Sequence, residues 1–118
     1  MNHPNLTPEV NRNIAQSEIE GGVFLDKLPI NAVLHVRTKN TSYTINKVET
    51  AQGGVCYFIS GHPRYCPTPI EAHIHGSTWG GSMIKVGFVG RGMHMEFTVE
   101  DHPGMITTSE IQEITEVQ

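Results

Sequence analysis

Two histidines separated by one residue, His73 and His75, have the spacing in this chain that most directly suggests chemistry. In a β-strand, residues i and i+2 lie on the same side, about 6–7 Å apart. Zinc and iron sites on β-barrels use such a pair together with a third ligand from another strand. His94 or Glu96 supplies that ligand if their strand is adjacent. The pattern therefore predicts a divalent-metal site, and a solvated imidazole pair is the simpler alternative.

A second chemical signal is the glycine-rich stretch of residues 76–82, Gly-Ser-Thr-Trp-Gly-Gly-Ser, which we predict to be a loop. Its backbone amides and hydroxyls suit a small anion, and Trp79 suits stacking on a ring, capping of the core or contact with a subunit. It lacks the G-K-[ST] ending of a Walker loop. Arginines at two other loop tips are candidate anion partners. The candidate ligand-binding residues are Arg64, Gly76, Ser77, Thr78, Trp79, Gly80, Gly81, Ser82 and Arg91.

The charge distribution limits the partners. The formal net charge of −4 argues against general nucleic-acid binding, which normally requires a basic surplus. Between Lys27 and Thr98, seven Lys or Arg residues stand against three acids, whereas the two flanks hold one Arg and nine acids. A mildly cationic body with acidic termini is compatible with a small anionic ligand, and equally with ordinary solubility.

The two cysteines, Cys56 and Cys66, are too few for a disulfide framework, and we expect free thiols in a reducing compartment. A zinc site that combines them with His73 and His75 lacks any C-x2-C pair. Cys66 is the better candidate nucleophile, although an inert thiol is the simpler interpretation. Because no complete catalytic set is present, a non-enzymatic role is favoured.

Hydropathy and the N-terminal residues bear on location. No apolar run approaches the roughly 18 residues of a membrane span, and the N-terminus shows no basic and apolar signal regions. We therefore expect a cytoplasmic protein without a membrane partner.

Short runs with a period of two dominate the chain from residue 23 onward, with turns of Gly, Pro or Asn every eight to twelve residues. We predict strands over residues 32–38, 42–48, 55–60, 70–75, 82–89, 93–100 and 105–117, and a turn at 101–104. The fold class is all-β, a small antiparallel barrel or sandwich of about six to seven short strands.

One local prediction concerns the strands on either side of Arg91-Gly92. A two-residue turn there pairs Phe88 with Met95 and Val86 with Phe97. All apolar side chains of both strands then share one side, and His94 and Glu96 lie on the other. A hairpin of residues 82–100 is therefore predicted.

The predicted domains are an N-terminal arm or short helix over residues 1–22 and a single β domain over residues 23–118. Thr7-Pro8-Glu9 is typical of a helix start, and Val10 and Ile14 form a thin apolar stripe that Gly21-Gly22 would end. Either the arm is mobile, or it docks on a neighbouring subunit of a homo-oligomer.

Two resemblances accompany these motifs. His73-x-His75 is similar to part of the cupin metal motif, but Gly76-Ser77-Thr78-Trp79 stands where that family has a glutamate, so the cupin function is not carried over. Residues 32–114, including the segments 76–85, 92–97 and 106–111, resemble small uncharacterised bacterial all-β proteins. That resemblance implies the fold and brings no activity with it.

Three functions follow as hypotheses. The first is an oligomeric binding module that holds a small anionic or nucleotide-like ligand near residues 76–82. The second is a structural self-assembly or protein-interaction domain, because short strands with few charged edge residues favour association. The third is a metal-binding protein or metalloenzyme that uses His73, His75 and His94.

Overall fold

A computed structural model describes residues 21–117 of the chain, and these residues form an all-β fold. A 3-10 helix, Leu25–Lys27, follows the first strand. The strands are β1 (Gly22–Phe24), β2 (Val33–Thr38), β3 (Ser42–Glu49), β4 (Val55–Ser60), β5 (Ile70–Thr78), β6 (Lys85–Val86), β7 (Phe88–Gly90), β8 (His94–Val99) and β9 (His102–Val117). The predicted fold class is confirmed.

Six of these strands close into an antiparallel barrel. The order of the larger sheet is β4-β3-β2-β9-β8-β5-β6, and β4 pairs with β5 as well, which joins the two sides of the ring. Strand β9 is the longest strand described and has two partners in turn. Its residues 102–110 pair with β8, and its residues 111–117 pair with β2. Strand β6 lies outside the ring as the partner of β5, and β1 and β7 form a separate two-stranded sheet.

The alternation predicted from the sequence is confirmed along the barrel strands. On β2, Leu34 and Val36 are buried whereas His35 and Arg37 are exposed. On β8, the apolar residues are buried and the residues between them are half-buried. The inward side chains fill the barrel, and the largest fully buried ones are Phe97, Leu34, Ile45, Ile59, Met95, Ile111, Val36 and Val89.

A lysine also belongs to the buried set. Lys47 follows Tyr43 and Ile45 on the inward side of β3 and is 5% exposed. Its Nζ donates hydrogen bonds to the carbonyl oxygens of Leu25 (3.0 Å) and Leu28 (2.6 Å). A buried ammonium needs such acceptors, because unpaired burial of a charge is costly. Lys47 therefore ties the 3-10 helix to the barrel.

The predicted hairpin of residues 82–100 is wrong. Strand β7 pairs with β1, in the register Val23↔Val89, rather than with β8. Both edges of β8 are occupied by β5 and β9, so β7 finds no free edge there. The predicted turn at Arg91-Gly92 is present, but β8 pairs with β5 and β9 and not with β7.

Two other boundaries differ from the prediction. The turn expected at residues 101–104 is a two-residue turn at 100–101, because Val99 pairs with His102 and β9 begins there. The loop expected to begin at Gly76 begins after Thr78 instead. The register of β5 against β8 shifts between Ile74 and Gly76, so this glycine marks a β-bulge and not the end of a strand. The predicted arm lies outside the described residues, except for Gly21 and Gly22.

Candidate functional site

The β5–β6 hairpin is the part of the fold that the candidate ligand residues occupy. Gly76 pairs with Val86, and Ser77 pairs with Lys85. Gly76 has a φ of +143°, and a Cβ placed on it would lie 2.1 Å from the carbonyl oxygen of Lys85. Only glycine permits this approach of the two backbones, because it has no Cβ and tolerates positive φ.

Three candidate residues, Gly76, Ser77 and Thr78, are buried in β5. The hydroxyl of Ser77 donates a 2.6 Å hydrogen bond to the carbonyl oxygen of Phe88, which attaches β7 to β5. The hydroxyl of Thr78 accepts a 3.1 Å hydrogen bond from the amide of Gly80, which shapes the hairpin tip. These groups have partners within the protein, so their role in the structure is to hold the hairpin.

The remaining hairpin candidates, from Trp79 to Ser82, are exposed. Trp79 is 72% exposed and lies beside Gly92, where a Cβ would be 3.0 Å from its ring. Arg91 is exposed and precedes Gly92, and its amide donates to the carbonyl oxygen of Gly21. The Trp79 ring therefore lies beside the residue that follows Arg91 in the chain, next to the point where residue 21 enters the fold.

Arg64 belongs to a different part of the molecule. Its guanidinium lies 5.6 Å from the centre of the Tyr65 ring, in the loop between β4 and β5. The rings of that loop contact Tyr43 through His62 (6.3 Å) and His102 through Tyr65 (4.7 Å). These described contacts place Arg64 with an imidazole–tyrosine cluster and not with Arg91.

Large apolar side chains are exposed on and beside the hairpin. Met83 is 84% exposed, Val86 is 76% exposed and Met105 of β9 is 46% exposed. Together with Trp79, we call these four residues the hairpin surface. Three of the four, Met83, Val86 and Met105, were not predicted from the sequence, because the alternation places Val86 on the core side of a predicted strand and Met105 only at the start of another.

A depression of about 360 Å³ lies on one side of this hairpin. Its apolar wall includes Ile84, Val86 and Met105, and its polar wall includes His73, His75 and Glu96. We call it the histidine groove. Lys85, by contrast, points to the other side, where its Nζ lies 4.1 Å from the centre of the Phe88 ring and 5.4 Å from that of Phe24.

The two histidines of the groove are in contact. The ring centres of His73 and His75 are 4.2 Å apart, with an interplanar angle of 72°. A ring nitrogen of His75, Nε2, lies 3.3 Å from the hydroxyl of Thr98. Burial lowers the pKa of His75 below its ordinary value, and the neighbouring His73 lowers it further, against the opposite effect of Glu96. The neutral imidazole is therefore favoured at this position.

The predicted metal ligands are only partly assembled. His94 lies opposite Thr78, five residues along β5 from His73, and its Nδ1 is 2.9 Å from the carbonyl oxygen of Thr108. Within residues 21–117, no group of three or more His, Cys, Asp or Glu side chains is arranged to hold a metal ion. The structure thus joins His73 to His75, leaves His94 apart and places Glu96, the other candidate third ligand, along the histidine groove.

The imidazole–tyrosine cluster was not predicted from the sequence. His62 and His102 both contact the ring of Tyr65, whose centre lies 4.6 Å from that of His62 and 4.7 Å from that of His102. Burial raises the pKa of Tyr43 to about 12, and Cys66 adds to the shift. Burial also raises the pKa of the Cys66 thiol, so the reactive thiolate is disfavoured.

Comparisons with protein-family models, with curated proteins and with solved structures found no match. No helix in the described part of the chain has the length and apolar character that crossing a membrane requires.

Proposed function

We propose that this protein is a non-enzymatic binding module that self-associates through the hairpin surface. The observation that carries the proposal is the exposure of three large apolar side chains on one hairpin, Trp79 at 72%, Met83 at 84% and Val86 at 76%. Single exposed apolar residues are ordinary, whereas a cluster of them is typical of a surface that another macromolecule covers.

A second copy of the chain is the partner that we propose. Most soluble oligomers are homo-oligomers, and in a two-fold dimer the same surface serves both subunits. The barrel interior is filled by side chains such as Phe97 and Leu34, which favours an external binding surface over an internal cavity. The free Cys56 and Cys66 suit a reducing compartment, so we propose a cytoplasmic location.

Sedimentation velocity over a range of concentrations tests the proposal. The double variant Met83→Ser/Val86→Ser removes apolar area from the hairpin surface, and each side chain contributes about 1.5–3 kcal/mol when it is buried in full. We expect the dissociation constant of the self-complex to rise at least about tenfold, which corresponds to about 1.4 kcal/mol.

The matched control is Val55→Ser, which changes an apolar residue of β4 that is 49% exposed. We expect its self-association to equal that of the wild type. A wild-type protein that stays monomeric up to millimolar concentration contradicts the proposal. Equal weakening by the double variant and by the control contradicts the choice of the hairpin.

A small anionic or nucleotide-like ligand at the hairpin tip is a second candidate, supported by the exposed Trp79 ring beside Gly92 and by the exposed Arg91 that precedes this glycine. The exposed backbone at Gly81, which has a positive φ, adds a further donor for an anion. Titration of tryptophan fluorescence with inorganic phosphate and with nucleotides tests it. We expect saturable quenching that Arg91→Gln abolishes, and a flat response to every compound counts against the candidate.

A further inference from the structure

The outward side of β5 carries an imidazole pair that the proposed function does not use. His73 and His75 flank Ile74, which is buried in the core, and both imidazoles line the histidine groove. Their ring centres are 4.2 Å apart, at an interplanar angle of 72°. A zinc–imidazole bond is only about 2.0–2.1 Å long, so two rings that share one ion have to be neighbours, as these rings are.

We propose that His73 and His75 together bind one divalent transition-metal ion, with Zn²⁺ as the reference ion, and that water completes its coordination. Imidazole nitrogen is a good ligand for Zn²⁺, Cu²⁺ and Ni²⁺, whereas Mg²⁺ and Ca²⁺ prefer oxygen. His73 is exposed, which leaves room for its ring to turn toward the ion. Both ligands belong to one chain, so the site does not depend on the proposed self-association.

The surroundings of His75 favour the form of imidazole that binds a metal ion. A metal ion binds the neutral ring, and the pKa of His75 is lowered by burial and by the neighbouring His73. The Nε2 atom of His75 lies 3.3 Å from the hydroxyl oxygen of Thr98. When Nε2 carries the ring proton, this hydroxyl accepts the hydrogen bond and Nδ1 is left as the metal ligand. Metal-bound histidines are commonly oriented by such a hydrogen bond from their second nitrogen.

Glu96 supplies negative charge beside the imidazole pair. It lines the same groove, and against the lowering by burial its carboxylate raises the pKa of His75, because a negative charge stabilises the imidazolium. The same attraction acts on a bound metal cation. The hydroxyl of Thr107 donates a 3.1 Å hydrogen bond to Oε2 of Glu96, which holds the carboxylate in place.

The number of ligands sets the kind of site. Two imidazoles are fewer protein ligands than the three of a catalytic zinc site or the four of a structural one. We therefore expect weaker binding than in those sites and an ion that exchanges with the solution. The affinities are expected to follow the general order of the first-row ions, with Cu²⁺ above Zn²⁺. Mg²⁺ is the matched ion that should not bind.

Equilibrium dialysis of the untagged, chelator-treated protein against Zn²⁺ or Mg²⁺, followed by metal analysis, tests the site. The protein is kept at a concentration where sedimentation shows monomers, because the groove and the hairpin surface share residues. We expect one Zn²⁺ per chain and no saturable uptake of Mg²⁺. His73→Gln and His75→Gln are each expected to raise the dissociation constant for Zn²⁺ at least about tenfold, and Glu96→Gln to raise it less. The control is His35→Gln, an exposed histidine of β2, which should bind Zn²⁺ as the wild type does.

A second measurement needs no variant. In the NMR spectrum of the wild type, we expect Zn²⁺ to shift the ring signals of His73 and His75, and shifts confined to other histidines would overturn the inference. No saturable uptake of Zn²⁺, or uptake by His73→Gln/His75→Gln that equals the wild type, overturns it as well. One ion per two chains shows an ion shared between copies and contradicts the single-chain site. A protein that binds Zn²⁺ as expected but never self-associates upholds the metal site and contradicts only the proposed function.

Discussion

Strand β8 and the β5–β6 hairpin carry similar apolar residues, and the protein uses them differently. On β8, Met95 and Phe97 point into the barrel and are fully buried between strands β5 and β9. On the hairpin, Val86 and Met83 remain largely exposed, because β6 is the last strand of its sheet and lies outside the ring. Alternation therefore determines which side a residue faces, and the neighbouring strands determine whether that side is covered.

The largest test of this comparison is a matched truncation in each region. Phe97→Ala leaves a cavity in the barrel, and we expect it to lower the free energy of unfolding by about 3–5 kcal/mol. Val86→Ala removes atoms that already contact solvent, so we expect a change within about 0.5 kcal/mol. Urea denaturation at a concentration where the protein is monomeric measures both values. Similar losses would show that the monomer itself covers Val86.

A pair of lysines sharpens the comparison with a smaller effect. Lys47→Met removes the buried donor to the Leu25 and Leu28 carbonyl oxygens, and we expect a loss of about 1–3 kcal/mol in unfolding free energy. Lys85→Met removes a cation that lies over the exposed Phe24 and the half-buried Phe88, and we expect a loss below about 1 kcal/mol. Chemical denaturation decides between them. If Lys85→Met lowers the free energy of unfolding as much as Lys47→Met or more, the exposed lysine stabilises the fold at least as much as the buried one. That result would contradict the comparison of the two regions.

The smallest expected effect concerns the histidine groove. Because the pKa of His75 is lowered in the folded protein, the unfolded chain binds more protons below about pH 6.5. The contribution of His75 to the free energy of unfolding is therefore complete above pH 6.5. It is lost as the pH falls through the pKa that His75 has in the folded protein. We expect His75→Gln to reduce the drop in Tm between pH 7.5 and pH 5, whereas His35→Gln, on the exposed side of β2, serves as the control. Parallel curves for His75→Gln and the wild type would exclude this coupling.

The candidate site was predicted only in part, and the reason differs between residues. Trp79 and Arg91 were candidate ligand residues from local loop signals, with capping of the core left open for Trp79; in the structure the exposed Trp79 ring lies beside Gly92, which follows Arg91. Arg64 has an equally clear loop signal, but the path of the β4–β5 loop takes it to Tyr65. His94 shares a barrel wall with His73, yet the register between β5 and β8 separates them. Local sequence contains no information about such registers.

The sequence by itself determined the side on which most barrel residues lie, because a pleated strand alternates whatever its partners are. The inward placement of Leu34, Tyr43 and Phe97 follows from that rule. Only the tertiary structure decided which strands meet. Strand β4 closes the ring by pairing with β5, β7 pairs with β1, and Val86 stays exposed. Each of these outcomes depends on residues far apart in the chain. Competition among those distant pairings, and not local preference, left the hairpin surface uncovered.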